Sequence, residues 1–468
     1  MFTSNLTHIN RRGISFLTML TLLLMPLLSQ SNLSVRAAPA YTEVGGPIMS
    51  DTTWTLTNSP YIVVANVEVW QGVTLTVQPG VVVKFNKDKL LQVNGALIAR
   101  GTAVSPITFT SNQASPTKGD WKNIEFSDGS VDATFDGAGN YTGGSILEYC
   151  VVEYGGSGVS GAAETDQASP LIDHCAVRNN QSSGIRGNGF LGPSMVIRNN
   201  TVSGNSASGA GGGIYVTYST VTGNIVSGNS AGSSGGIYAS LSSVISNTIT
   251  ANRGLGVYFN GSNDFLYNTI VGNIAPTGTI GGVAIRGTPQ FHHNNLYGNS
   301  NWDVGVMSPP DINISGTHNY WGTVATEVIL AHVYDWYDDS SRGRLLFIPY
   351  IQDPDPNAPV PPPWNLRANF AGGSVSLSWD AIPSTTTGYG YKVYYDTDTS
   401  GPPYHGAGAA QGDSPIDVGN ATQFTLSGLG GGGIYTAVTA YDTQGRESWY
   451  SNEVMSLWRV YLPAVLKK

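Results

Sequence analysis

The hexapeptide NTVSGN at Asn200–Asn205 returns as NIVSGN at Asn224–Asn229, NTITAN at Asn247–Asn252, NTIVGN at Asn268–Asn273 and NNLYGN at Asn294–Asn299. Two earlier copies carry Cys in the first place, CVVEYG from Cys150 and CAVRNN from Cys175, so successive starts lie 25, 25, 24, 23, 21 and 26 residues apart. A fixed period of this size with short β-type alternation is what one coil of a solenoid needs. Three residues before each start stands an apolar residue (Leu147, Ile172, Ile197, Val221, Val244, Phe265, Phe291), and two residues after it another (Val152, Val177, Val202, Val226, Ile249, Ile270, Leu296). Alternate residues of a strand share a face, so these columns are expected to point inward on either side of a bend. The first Asn column is expected to stack its amides along the axis at that bend. The second (Asn180, Asn205, Asn229, Asn252, Asn273, Asn299) fits the next turn, where Asn tolerates left-handed backbone. A third strand column, Ile185, Ile214, Ile237, Val257 and Val283, follows glycine.

Composition agrees with an all-β reading. Of 468 residues 59 are Gly, and charged residues are only 11%, against about 25% in an average domain; this excludes a coiled coil, a helix-rich enzyme and a disordered chain. Removing Arg11, Arg12 and Arg36, which precede residue 41, leaves 19 basic against 31 acidic groups, a net of −12. Such a chain is a poor polyanion binder, so nucleic acid is not expected as a partner.

Residues 1–40 read as a signal peptide: Arg11 and Arg12, an apolar run Ile14–Leu28, and Ala38-Pro39-Ala40 as a small-x-small cleavage site. An uncleaved anchor is the alternative. No later segment reaches the 18 apolar residues of a membrane span, so the mature chain is expected to be secreted or held at the cell surface.

Three short strands per coil with this period resemble the right-handed parallel β-helix of pectate lyases and many secreted bacterial proteins. On that resemblance residues 41–352 form the β-helix with its caps. VTLTVQPGVVVKF (Val73–Phe85) and LLQVNGALIARG (Leu90–Gly101) supply early coils, WTLTNSPYIVVANVEV caps the start, and a helix-compatible stretch Glu327–Asp339 closes the end. DPDPNAPVPPP (Asp353–Pro363) reads as a stiff linker with few contacts across it, so the parts on either side are expected to unfold independently. The strands of residues 364–457, with Trp379 and the AYDTQGRES segment, resemble an immunoglobulin-like fibronectin type III sandwich, and residues 458–468 form a tail of undecided role.

The one constellation on the outward face is charged. Two residues before the unit start come Glu148, Asp173 and Arg198; three after it come Glu153 and Arg178. Glu148 and Asp173 are expected to face solvent one rung apart, with carboxyls about 5 Å apart as in a retaining glycosidase pair. Arg178 and Arg198 sit where they would neutralise them. With His174, Ile172-Asp173 also resembles the IDH segment of pectate lyases, but their calcium-acid triplet and arginine motif are incomplete here, and the paired-Asp motifs of polygalacturonases are absent. Asp128, Asp132 and Asp136 lie beside glycines in DGSVDATFDGAGN, a composition that suits Ca2+, although the spacing matches no known calcium loop. No other cofactor is implied. Cys150 and Cys175 should stack in adjacent rungs, as buried thiols or as a disulfide.

The residues favour a non-catalytic extracellular scaffold or adhesin that contacts polysaccharide or a cell-surface glycan. The alternative is a polysaccharide lyase or glycoside hydrolase with Glu148, Asp173 and Arg198 as catalytic residues and Glu153, Arg178 and His174 as binding residues. A periplasmic metal carrier with this fold would need His or Met clusters, which the sequence lacks. The oligomeric state is not readable.

Overall fold

The computed structural model describes residues 41–189, 194–371, 373–385, 388–429 and 433–456. The expected signal segment and the tail fall outside the described residues.

The repeat builds a parallel β-solenoid. The first strand of each coil joins a ten-stranded parallel sheet, and the second and third strands run on into a 22-stranded one. One coil consists of Leu171–Asp173, Ala176–Arg178 and Ser183–Asn188. The three apolar columns stack as the spacing requires: Ile172 on Ile197 on Val221, Val177 on Val202 on Val226, Ile185 on Ile214 on Ile237. All of these side chains are fully buried in one continuous core.

Both Asn columns form interior ladders. In the first, each Nδ2 donates to the next Oδ1, from Asn200 to Asn224 at 2.9 Å and on through Asn247, Asn268 and Asn294. The same oxygens accept the backbone N–H of the preceding rung. The ladder runs one rung beyond the hexapeptides, to Asn319, and begins at Cys175, whose N–H donates to Asn200 Oδ1. The second ladder ends on a charge: Asn299 donates both its N–H and its Nδ2 to Asp303 Oδ1, at 3.1 and 2.9 Å.

One expectation about these turns is corrected. The left-handed residues are not the ladder residues, Asn or Cys, but those immediately before them: Tyr149, His174 and Asn199 at one bend, Asn179, Gly204 and Gly228 at the other. The ladder Asn must keep its amide pointing inward along the axis, so the reversal falls on its neighbour. The glycines before the third strand have a different cause. A Cβ at Gly184 would lie 2.7 Å from Asn205 Nδ2, and one at Gly236 would lie 2.3 Å from the Gly256 carbonyl. The chain passes so close to the second ladder that only glycine fits.

The start of the solenoid also differs from expectation. Thr52–Trp54 and Tyr61–Val69 are coil strands, paired with Thr74–Val77 and Val82–Phe85. The outermost described strand is Thr42–Ile48, whose register shift between Val44 and Gly46, together with Pro47, blunts a long flat edge. At the other end the helix is short, Thr326–Ala331, and Val333–Tyr334 adds a further parallel strand. Asp335 accepts the N–H groups of Tyr337 and Leu345 and so ties the closing segment together.

Beyond the solenoid, a three-stranded antiparallel sheet (Trp364–Ala371, Ser374–Asp380, Gln423–Leu426) shares one core with a four-stranded sheet (Ile416–Gly419, Gly390–Asp396, Ile434–Tyr441, Val454–Ser456). The Pro-rich stretch does not stand free of the coils. Asp355 accepts the Nδ1 of His293 at 2.8 Å and takes Asn295 Oδ1 on its own N–H, and Thr269 donates to the Pro359 carbonyl. The expectation of few contacts across this stretch therefore fails. Prolines cannot pair as strand donors, but their carbonyls and the interleaved aspartates still find partners on the solenoid.

The end of the second ladder carries a pH dependence. His332 Nδ1 stands 3.4 Å from Asp303 Oδ2, at a geometry that makes an ion pair rather than a well-formed hydrogen bond. The Asp303 carboxylate raises the imidazole pKa above its ordinary value against the opposing effect of partial burial. A group with a raised native pKa stabilises fully below its unfolded value, about 6.5, and loses that contribution as pH rises through the native value. The melting temperature is expected to fall across the interval just above pH 6.5, and His332→Gln to remove that part of the slope.

Candidate functional site

The charged residues assemble as one column, with an addition the sequence reading missed. Arg100, Glu148, Asp173 and Arg198 lie on successive rungs. Arg100 Nε donates to Glu148 Oε2 at 2.7 Å, and Arg198 Nε to Asp173 Oδ2 at 2.7 Å. Asn199 Nδ2 donates to Asp173 Oδ1 at 3.0 Å, and His174 Nδ1 lies 2.6 Å from the same oxygen. Across the bend, Arg178 donates to Glu153 at 2.9 Å, and Glu153 also accepts from Thr110 Oγ1. Arg100 belongs to a coil without the hexapeptide, so only its place at the end of ALIAR could have revealed it.

Asp173 does not face solvent: it is 3% exposed. The excursion that holds Asp128, Asp132 and Asp136 folds over this face as a small hairpin, Thr134–Phe135 against Tyr141–Gly143. Ala133, Phe135 and Tyr141 pack on Ile98, Ile146, Leu171 and Val196, the apolar outward residues of four adjacent rungs. Arg198 Nη1 donates to the Gly139 carbonyl at the hairpin tip. The hairpin thus flanks the column and bonds it at Arg198, and its acids are turned toward arginines.

Two of the three excursion aspartates are engaged separately. Asp136 accepts the N–H groups of Ala138 and Asn140 and the Asn140 amide, and Asp132 accepts the Ser169 N–H. Among the described residues no group of three or more His, Cys, Asp or Glu side chains is placed to hold an ion. The cysteines are free thiols buried at the head of the first ladder, where Cys150 N–H donates to Cys175 Sγ at 3.3 Å. Burial, with Cys175 beside it, pushes the Cys150 thiol well above its ordinary pKa.

A second outward column also escaped the sequence reading. Along the third strands Glu125, Glu164, Arg186, Tyr215, Tyr238, Tyr258 and Ala284 occupy successive rungs. The Arg186 guanidinium lies 4.3 Å from the Tyr215 ring centroid, and the three tyrosines stack at 4.5 and 5.0 Å. Rings stacked face to face along the axis show their edges to solvent. Ala284 ends the stack, beside a groove of about 860 Å³ bordered by Tyr258, Leu255, Pro276, Ile280 and Arg253. Upstream, burial and the neighbouring Glu164 and Asp166 raise the Glu125 pKa. The signal was available in GIY, GIY and GVY, which place tyrosine one residue after the third inward column.

Residues 135–329 match the family model described as periplasmic copper-binding protein (NosD), and residues 46–169 match that of the pectate-lyase like beta helix domain. Protein bark beetle of Drosophila melanogaster is 40% identical over 79 residues, 17% of this chain and 2% of that protein. The chain thus spans a very small part of the curated relative it matches.

Proposed function

We propose that the chain is an exported, non-catalytic scaffold that presents a rigid β-solenoid face to polysaccharide outside the cytoplasm. The observation that carries this reading is the pairing in the charged column: each carboxylate on adjacent rungs, Glu148 and Asp173, has its own arginine, Arg100 and Arg198. Neither is opposed only to the other, the arrangement in which two like charges would push one pKa far up. The solenoid is taken as right-handed, the hand of nearly all parallel crossovers, and the C-terminal sheets as a fibronectin type III module, in line with their three-plus-four antiparallel order and the buried Trp379. Export is supported by the Arg11–Ala40 segment and by the match of residues 135–329 to a family described as periplasmic.

The copper in that description is not carried over. Copper sites gather soft or imidazole donors, whereas here both thiols are spent inside the ladder and His293 is held by Asp355. Calcium held by Asp128, Asp132 and Asp136 draws no support from the separate hydrogen bonds of Asp132 and Asp136.

The test is turnover and binding on one panel of acidic and neutral polysaccharides. The wild type is expected to release no new reducing or unsaturated ends, while glycan-array binding falls in Tyr258→Ala and persists in Glu148→Gln. Wild-type turnover that vanishes in both Glu148→Gln and Asp173→Asn would overturn the reading in favour of a lyase or hydrolase.

A further inference from the structure

The groove of about 860 Å³ beside Tyr258 is walled by apolar side chains that stay open to water. Just after the second ladder, Ser206, Ser230, Arg253 and Ile274 follow one another on successive rungs. The first two are the polar residues that a solvated face calls for, yet Ile274 is 60% exposed. Pro276, on the same excursion, is exposed too, and Leu255, Tyr258 and Ile280 are partly so. All five border the groove. Exposed apolar side chains gathered along one groove mark a contact surface.

Among the described residues the groove lining holds a single charge, Arg253, and no acid. Arg253 is exposed, and its guanidinium has no ion pair, hydrogen bond or ring contact among the described residues. The other described arginines, Arg286 apart, grip a carboxylate or lie over an aromatic ring. Glu453 borders the adjoining hollow together with Arg253, but its carboxylate is taken up by Ser400, Gly401 and Tyr404. Arg253 thus stands at the rim between the two hollows with its N–H fork unspent.

Apolar walls with one unspent guanidinium at the rim select a ligand of matching make-up. A neutral, polar ligand leaves the guanidinium without a counter-charge and gains nothing from Ile274, Leu255 and Ile280. An alkyl chain gains about fourfold in affinity for each methylene it buries. A carboxylate matches the guanidinium fork with two parallel, charge-assisted bonds. We propose that this groove is a binding site for a single-chain anionic amphiphile, with its carboxylate on Arg253 and its alkyl chain along Leu255, Tyr258 and Ile280. The site is additional to the glycan face and does not rest on it.

Isothermal titration calorimetry of the full chain tests this with sodium decanoate, octanoate and butanoate, each below its micelle-forming concentration and at constant ionic strength. 1-Octanol serves as the uncharged control. Decanoate is expected to bind saturably, octanoate about fifteenfold more weakly for its two fewer methylenes, and butanoate not measurably. Octanol should bind about tenfold more weakly than octanoate, and Arg253→Gln should weaken decanoate about tenfold, each the loss of a hydrogen bond to a charged group. Ile274→Asp, which sets an acid on the rung beside Arg253, should abolish binding. Both positions are exposed, so both variants are expected to melt as wild type does. The chain-length series on the wild type needs no variant and decides by itself. No saturable heat from decanoate, equal affinity along the series, or an Arg253→Gln protein that binds as tightly as wild type would overturn the proposal. Saturable binding of a uronic-acid oligomer in place of decanoate would overturn it in favour of an acidic glycan.

Discussion

Asn224→Ala is expected to destabilise the protein by about 3 kcal/mol. The side chain is buried at the middle of the first ladder. Its Oδ1 accepts both the N–H and the Nδ2 of Asn200, and its Nδ2 donates to the Ile197 and Thr222 carbonyls and to Asn247 Oδ1. Truncation orphans groups on two neighbouring rungs at once, and each unpaired buried group costs about 1–3 kcal/mol. Some of that cost is recovered, because Asn200 Nδ2 keeps the Ile172 carbonyl. Urea melts check it: the midpoint should drop with little change in slope. Ser227→Ala, on the outward face of the same coil, should stay within about 0.5 kcal/mol of wild type. An Asn224→Ala protein as stable as wild type would contradict the interior ladder.

A larger loss, about 4 kcal/mol, is expected for Trp121→Ala. Trp121 is fully buried, stacks on Phe85 with ring centroids 4.1 Å apart, and donates its Nε1–H to the Glu153 carbonyl at 2.8 Å. Removing an indole from a packed core costs its transfer energy plus that of the cavity left behind, about 3–5 kcal/mol. Trp121→Phe keeps most of the volume and loses the hydrogen bond, so it should cost clearly less. Thermal melts of the two variants separate packing from hydrogen bonding. Equal losses would mean that the bond to Glu153, not the ring stack, holds the segment before Ile124–Phe126 to the coil.

The interior of the solenoid was legible because each residue type recurs at the same place on rung after rung. Ile197, Val221 and Val244 declare an inward column by repetition alone, and the ladder Asn do the same. The outside does not repeat, and there the reading faltered. Nothing in the period reveals that the hairpin at Thr134–Gly143 covers Leu171 and buries Asp173, because cover is supplied by an irregular excursion. The left-handed corner was placed one residue late, since Asn is a familiar turn residue and its competing role in the ladder outweighs that preference. The cavity bordered by Tyr297, Trp321, His332 and Trp364 has no local pattern, because its members come from separate elements.

The amides of each ladder point the same way, every Nδ2 toward the following rung. The side chains therefore add up to a chain of aligned dipoles within the core, with its positive end toward the C-terminus. Asp303 sits at that end of the second ladder as a helix-capping acid sits at a helix N-terminus. Because each rung repeats the same bonds, the ladder admits growth or loss only by complete coils, while a partial insertion would set an amide against a carbon. The length of such a protein is therefore quantised, and its hidden polarity makes the two ends chemically different: the first ladder starts on thiols at one end, and the second stops on a carboxylate at the other.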